Sequence, residues 1–521
     1  MRRLIISLSL AMTVIAAAAQ PQQFGYTNPV IPGFNPDPSV CRVGDDYYLV
    51  TSTFQYFPGV PVYHSKDLIH WEQIGNCLTR ESQLRLKDAG CSGGIYAPTI
   101  RYHEGTFYMG TTNVTSGGNF FVTAKDPAGE WSDPVWLEQG GIDPTLFFEG
   151  EKTYMVSNPN NGIYLCEIDI QTGKQLTESR LLWQGDGGRY PEAPHIYHKD
   201  GWYYLMIAEG GTEYGHSITI ARSKDIYGPY ESNPNNPILT NFQRLAQTSE
   251  IQGTGHGDLI EDQQGFWWIV FLGFRPQNGS HHLLGRETFL EPVEWYEDWP
   301  IVNGTGTAEI QKQVATLPQV EMPEPPENRL STGRKEPYFI HLNTPVEANY
   351  GFVKDSVLRL KPTPVTLDDA GSPTFIAIRQ DKFDFTLETE VDLSSATLGD
   401  IAGLTVYMEN NAHADICLRQ DKSKKKQSIV VEYTLYGLKH KACEVSVGKG
   451  PARLRVVGTK KEYIFSYRDA KGRWTEAGRL DTRLLSTETA GGFTGVTLGM
   501  YAVSTKGGGF SCADFNYFRY K

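Results

Sequence analysis

The stretch DPSVCRVGDDYYLV, residues 37–50, decides the fold because the chain repeats its grammar four more times. The matching segments are APTIRYHEGTFYMG from 97, DPTLFFEGEKTYMV from 143, APHIYHKDGWYYLM from 193 and GDLIEDQQGFWWIV from 257. In each, ten residues separate the first letter from an anchor in the second strand: Tyr47, Phe107, Thr153, Tyr203 and Trp267. Four of the five carry proline in second place, so the register is more than shared hydrophobicity. The intervening YHSKDLIHWE, VTAKDPAGEWSDP and IARSKDIYGPYE also resemble one another, as the same outer strand of different units would. Repeats of roughly fifty residues, each a few antiparallel strands, are the signature of a β-propeller. Five units between about residues 25 and 320 predict five blades. A β-sandwich is the rival all-β reading, but it gives no reason for a common register.

In a propeller the first strand of every blade lines the central channel, so equivalent starts converge on one mouth. At or just before the register start stand Asp37, Asp143, Glu192 and His256. Burying several carboxylates together costs free energy that structure alone would avoid, so their convergence points to a site. Asn35 and Asp37 each precede a proline, which predicts a stiff, extended backbone under Asp37.

The rest of the chain fits a secreted, multi-domain β protein. Its 521 residues exceed one ordinary core, and 12% aromatics with 53 Gly and 30 Pro suit many short strands. A net charge of −12 without a basic stripe speaks against nucleic acid and anionic membranes. The run KSKKK at 422–426 reads as a solvated hairpin tip. Residues 1–19, with two arginines, an apolar stretch and Ala17-Ala18-Ala19, read as a signal peptide. The mature chain is expected to begin near Gln20, to be exported to the periplasm and to carry no membrane span. Seven cysteines are an odd number, and Cys77 with Cys91 is the pair considered against buried free thiols. Domain boundaries are read as a propeller over 20–320, a Pro- and Glu-rich linker over 321–336, and a concanavalin A-like β-sandwich over 337–521.

Paired carboxylates among aromatic residues suit glycoside hydrolysis, in which one acid protonates the leaving oxygen and another stays ionised. A third carboxylate raises the acid's pKa by like-charge repulsion. Asp37, Glu192 and Asp143 suit base, acid and modulator, and Phe34, Tyr56, Phe57, Tyr96 and Tyr190 are candidates to stack on sugar faces.

At this point the chain resembles glycoside hydrolase family 43, in the branch with a C-terminal β-sandwich. The carrying motifs are NPVIPGFNPDPSVCRVGDDYYLV, GIDPTLFF, PEAPHIYHKDGWYYLMIAEGGTEYGHSITIARS, GTGHGDLIED, HLLGRETF and the closing GGFTGVTLGMYA. The resemblance implies an inverting, exo-acting hydrolase with Asp37 as general base, Asp143 as pKa modulator and Glu192 as general acid. Inversion implies that base and acid stand about 6.5–9.5 Å apart. It makes Arg286 the substrate-binding arginine that contacts the terminal sugar and the modulating acid. His256 becomes the channel histidine beside substrate or a bound ion. No cofactor is required; the candidate ion is a structural Ca²⁺, with His256 and Asp514 as candidate ligands.

The expected substrates are oligosaccharides or polysaccharides bearing terminal pentose. Xylosidase-like members have Glu-Trp where this chain has Gln55-Tyr56, Trp-Ala-Pro-Asp where it has Tyr96-Ala97-Pro98-Thr99, and Glu-Gly-Pro-His where it has Glu192-Ala193-Pro194-His195. Those departures favour α-L-arabinofuranosidase, with β-D-xylosidase or a bifunctional enzyme as the alternative. A retaining fructosyl propeller enzyme and an inactive carbohydrate-binding protein are the competing classes. The first lacks its Asn-Asp-Pro-Asn-Gly context here; the second gives no reason for an intact acid trio. His195 reads as an inner-strand packing residue. The sandwich reads as a cap on the propeller, with RQDKFDF (379–385) as the loop that reaches the active-site rim.

Overall fold

The computed structural model describes residues 24–242, 250–314, 316–318, 320, 322–354, 356–393, 397–421, 426–504 and 511–521. The expected signal peptide and residues 422–425 of the basic run lie outside them. The ends of that run's flanking strands, Ala412–Gln420 and Lys426–Leu435, do form a hairpin pair.

Five four-stranded antiparallel sheets follow one another along the chain. Their first strands are Ser39–Val43, Thr99–His103, Thr145–Glu149, Glu192–Lys199 and Gln252–Glu261, and these neighbour one another in a closed ring. This is the five-bladed propeller. Phe24–Thr27 pairs with Gln311–Val314, so the chain's start and the end of the propeller are tied together. Asn28 reinforces the closure by donating from Nδ2 to the Leu290 carbonyl at 2.9 Å and the Glu309 carbonyl at 3.0 Å.

The repeat seen in the sequence is a strand-pairing register. Tyr47 pairs with Arg42, Phe107 with Tyr102, Thr153 with Phe148 and Tyr203 with His198. In blade five the partner of Trp267 is Glu261, one residue further back. That longer turn moves the structural register start from Gly257 to His256. The equivalent positions are therefore Asp37, Ala97, Asp143, Ala193 and His256.

Four of those five have left-handed backbone: Asp37 and Asp143 at φ 56°, Ala193 at 53° and His256 at 44°. The expectation of an extended backbone at Asp37 is corrected. A pre-proline residue ordinarily avoids this region, and each such residue costs on the order of 1–3 kcal/mol. Aspartate tolerates it better than most residues. The strain recurs where the carboxylates must be aimed.

The C-terminal domain packs a seven-stranded sheet on a six-stranded one. Phe385–Asp392 (FTLETEVD) alternates buried and half-buried at every step, the period-two pattern of a sheet with one face in the core. Helix is nearly absent; among the described residues the single α-helix is the four-residue Thr487–Ala490.

The sandwich grips the propeller on two sides, among other contacts. His341–Leu342 pairs with Tyr56–Phe57, and Asn343 Nδ2 donates to the Leu86 and Ala89 carbonyls at 2.7 Å each. On the other side Val496 N donates to the Leu283 carbonyl at 2.9 Å. Gly495 makes that approach sterically feasible, because a Cβ there would stand 2.4 Å from the Leu284 carbonyl oxygen.

Candidate active site

The register start is one end of the channel, and the next inner-strand layers close it. Two residues further along stand Ser39, Thr99, Thr145, His195 and Asp258; two beyond those, on blades two and four, stand Arg101 and Tyr197. Arg101 Nη1 donates to Asp258 Oδ2 at 2.8 Å, and Nη2 lies 2.6 Å from His195 Nδ1. Ser39 Oγ and Tyr197 Oη donate to the same carboxylate at 2.7 and 2.6 Å. Asp258 therefore stays ionised: burial opposes its charge, and Arg101 and His195 beside it, with the hydrogen bonds from Arg101 and Tyr197, together outweigh burial. His195 is held neutral, its pKa pulled down to about 3 by burial. The expectation that it packs structurally fits this plug.

Above the plug lies a cup of about 70 Å³ lined by Asp37, Asp143, Glu192, His256, Arg286, Tyr96, Phe54, Thr212, Ile142, Ala97 and Phe493. Asp37, on blade one, is buried. Its Oδ1 accepts from Arg286 Nη1 at 2.9 Å, its Oδ2 accepts from Ser52 Oγ, and His256 Nδ1 lies 3.6 Å away. Burial alone would raise its pKa; Arg286, His256 and Ser52 overcome that and hold it below the usual carboxylate value.

Asp143 and Glu192 have the opposite environment. Asp143 is buried, and burial, then Glu192, then Asp37 raise it well above the ordinary range. Its one opposing donor is Ala193 N, at 3.0 Å. Glu192 is pushed up to about 7 by burial and then by the Asp37 charge, against Arg286. A β-bulge at Ala193-Pro194 separates Glu192, which still pairs with Ala208, from the ladder that resumes at His195, and Glu192 lines the cup. Together the pair retains a proton near neutrality while Asp37 does not.

Arg286 differs from its sequence-based expectation in its acidic partner. It bonds Asp37, not Asp143, and also donates to Thr212 Oγ1 at 2.8 Å and the Phe493 carbonyl at 3.3 Å. Phe54 and Phe493 flank its guanidinium at 5.7 Å each.

Among the expected aromatic residues, Tyr96 lines the cup, 5.3 Å from Phe54 and 6.2 Å from Phe493 between ring centroids. Phe34 and Tyr56 do not line it and are corrected as stacking residues. Both are fully buried one layer below, packed 5.8 Å apart, and Phe34 supports Phe54 at 5.9 Å. Phe57 is likewise corrected; it packs between blades one and two. Tyr190 stands at the surface, 58% exposed, with Arg189 over its ring at 5.4 Å. The loop 379–385 is corrected too: it packs under Phe34 and against Gly33, away from the rim. The sandwich contributes Phe493 instead, fixed by its amide donating to Ser92 Oγ at 2.8 Å.

Sequence reasoning missed Phe54, Thr212, Ser52, Phe493 and the Arg101–Asp258 plug. Arg101 was legible in principle, since it keeps the repeat's inward phase; Asp258 falls into that phase only once the blade-five register starts at His256. Phe493 carried no such signal, lying 401 residues from the serine that anchors it.

The candidate ion ligands do not fit calcium, which takes six to eight oxygens. Both Asp37 oxygens beside His256 already accept from Arg286 and Ser52. Asp514 gives both oxygens to Arg359, at 2.7 Å each. Among the described residues no group of three or more His, Cys, Asp or Glu side chains is placed to hold a metal. Cys77 and Cys91 keep separate thiols, and no described helix is long and apolar enough to cross a membrane.

Residues 26–300 match the family described as Glycosyl hydrolases family 43, and 331–521 match the Beta xylosidase C-terminal Concanavalin A-like domain. A non-reducing end α-L-arabinofuranosidase from Bacteroides ovatus is 40% identical, over 100% of this chain and 98% of its own length. A xylosidase/arabinosidase from Butyrivibrio fibrisolvens is 38% identical, over 94% and 98%. Among solved structures, the Bacteroides ovatus xyloglucan PUL GH43B superposes with TM-score 0.91 at 39% identity, over 96% of this chain and 100% of that one. A xylan β-1,4-xylosidase from Bacillus halodurans gives 0.89 at 32% identity, over 95% and 100%.

Proposed function

The chain belongs to glycoside hydrolase family 43, and from that premise we propose that it is an exo-acting, inverting α-L-arabinofuranosidase. The observation that carries the chemistry is the opposed protonation across one small cup: Asp37 held ionised, Glu192 held protonated up to about pH 7. In this reading Asp37 accepts a proton from water attacking the anomeric carbon. Glu192 gives its proton to the departing glycosidic oxygen. Asp143 adds negative charge beside Glu192, and its bond to Ala193 N steadies the strained turn that carries the acid. Arg286 fixes Asp37 and presents the rest of its guanidinium to sugar hydroxyls, while Tyr96, Phe54 and Phe493 shape an apolar wall.

A cup this small, above a plugged channel, admits a glycan only by its end and from the open side, which supports exo action. The arabinofuranosidase reading is supported by the Bacteroides ovatus relative's activity and by the three sequence departures beside the pocket. β-D-Xylosidase is the second reading, favoured by the relatives named for both sugars. Purified enzyme assayed on aryl α-L-arabinofuranosides and aryl β-D-xylosides decides between them. We expect kcat/KM to favour the arabinofuranoside; a preference for the xyloside reverses the assignment. Proton NMR of the first product should show inverted anomeric configuration, and retention refutes the mechanism. The reading includes export of the mature enzyme to the periplasm, checked by N-terminal sequencing of periplasmic protein; an uncleaved Met1 contradicts it.

A further inference from the structure

A second, larger cavity of about 520 Å³ lies where propeller, linker and sandwich meet. Its size is in the range of small-molecule sites, which favour such domain seams. Trp71 and Tyr63 of blade one, Pro323 and Pro325 of the linker, and Tyr338 beyond it give it largely apolar walls. Most polar groups there are already engaged. Tyr63 Oη donates to Asn35 Oδ1 at 2.6 Å, and Gln73 Nε2 donates to the Pro337 carbonyl at 2.9 Å.

Two groups lack a described counter-charge. Arg329 and Arg379 both line the cavity, and neither guanidinium forms an ion pair with a described carboxylate; the polar side chain against Arg329 is the Tyr338 hydroxyl. Arg329 is 9% exposed, and the Nε of each arginine is buried without an acceptor. Aromatic rings supply some compensation: Tyr338 and Tyr520 flank Arg329, and Phe34 flanks Arg379. Burial pulls the Arg379 pKa down, and no described carboxylate counters it. The cavity's carboxylates are placed elsewhere. Glu72 and Glu324 are exposed, Glu336 accepts from Arg334 at 2.8 Å, and Asp381 accepts from Tyr520 at 2.6 Å. An uncompensated buried guanidinium is costly, and its fork of donors matches a carboxylate bidentately.

We propose that this seam is a second, non-catalytic binding site for an acidic saccharide, whose uronic carboxylate meets Arg329 and Arg379 and whose ring packs on the aromatic wall. The saccharide class rests on the proposed function; the two cations without a described carboxylate partner do not. The site adjoins the catalytic cup through one segment. Asn35 lines the seam, Asp37 two residues on lines the cup, and Phe34 just before them packs against Phe54. An acidic branch held here anchors the glycan while the cup takes a terminal sugar.

The test uses the full-length Glu192→Gln protein, so that binding is read without turnover, with a glucuronic-acid-substituted xylotriose followed by calorimetry and saturation-transfer NMR. Saturable binding is expected, undisturbed by excess L-arabinose and weakened at least about tenfold by Arg379→Gln or Arg329→Gln in the same background. Absence of binding overturns the proposal. So does equal affinity for neutral xylotriose, or displacement by equimolar inorganic phosphate, which marks a simple anion hole. Displacement by arabinose places the ligand in the cup and also overturns it. If Arg379→Gln melts early, Arg329→Gln and Trp71→Ala are read instead, and unchanged affinity in both refutes the site. Because none of these readouts is hydrolysis, a failed arabinofuranosidase assignment leaves the binding result interpretable.

Discussion

Replacing Glu192 by glutamine should abolish turnover and, above neutral pH, stabilise the protein. The raised acid is the reason for both. Burial first, and the Asp37 charge second, lift Glu192 from 4.5 to about 7. At about 1.4 kcal/mol per pH unit, that rise is a differential interaction of about 3 kcal/mol. Between these two values the folded protein keeps a proton that the unfolded chain has released. Stability is therefore lost as pH rises from about 4.5 through about 7, and the cost is complete above that. Glutamine never ionises, so the variant escapes it. Asp143, raised partly by Glu192, is relieved in the same direction. Denaturant unfolding of both proteins should give similar stabilities near pH 4.5, diverging to about 3 kcal/mol in the variant's favour at pH 8. In the wild-type enzyme kcat/KM should be level through mildly acidic pH and fall about tenfold per unit above about 7. Parallel stability curves from pH 4.5 to 8, together with a rate that stays level to pH 9, refute the assignment of Glu192 as the proton donor.

Asp37→Asn should lower kcat by about 10²–10⁴ with folding intact, measured on aryl pentosides; unchanged turnover removes Asp37 from the base role. Phe493→Ala should raise KM and lower kcat together, because it removes a cup wall and loosens the carbonyl held by Arg286; steady-state kinetics matching wild type would count against a sandwich contribution. Asp258→Asn should destabilise the propeller by about 3–5 kcal/mol, since it leaves Arg101 buried without its carboxylate; thermal melting checks this. Chelation by EDTA should leave activity and melting temperature unchanged, as expected from donors already committed to arginines; a loss restored by Ca²⁺ contradicts that.

The blade count, the five inner strands and the acid trio were legible because propeller repeats are local. Each unit pairs strands a few residues apart, so the register survives as a sequence period. The period erred by one residue in blade five, where a longer turn makes His256, rather than Gly257, the structural counterpart of Asp37. Proline signals marked the right turns but suggested the wrong backbone, since the observed φ of 56° at Asp37 is held by the surrounding fold against local preference. The aromatic wall was the weakest inference. Phe34, Tyr56 and Phe54 lie within 23 residues of one another, and only packing decides which ring faces the cup.

By itself, then, the sequence determined which carboxylates converge: Asp37 and Asp143 at equivalent starts of repeated strands and Glu192 one residue before another, where repetition forces them together. The tertiary structure alone decided their charge states and their walls. Burial depth sets Asp143 and Glu192 high, while an arginine 249 residues away sets Asp37 low. A phenylalanine from another domain closes the cup. Desolvation and through-space charge depend on distances that no local pattern encodes, and those distances are what the fold supplies.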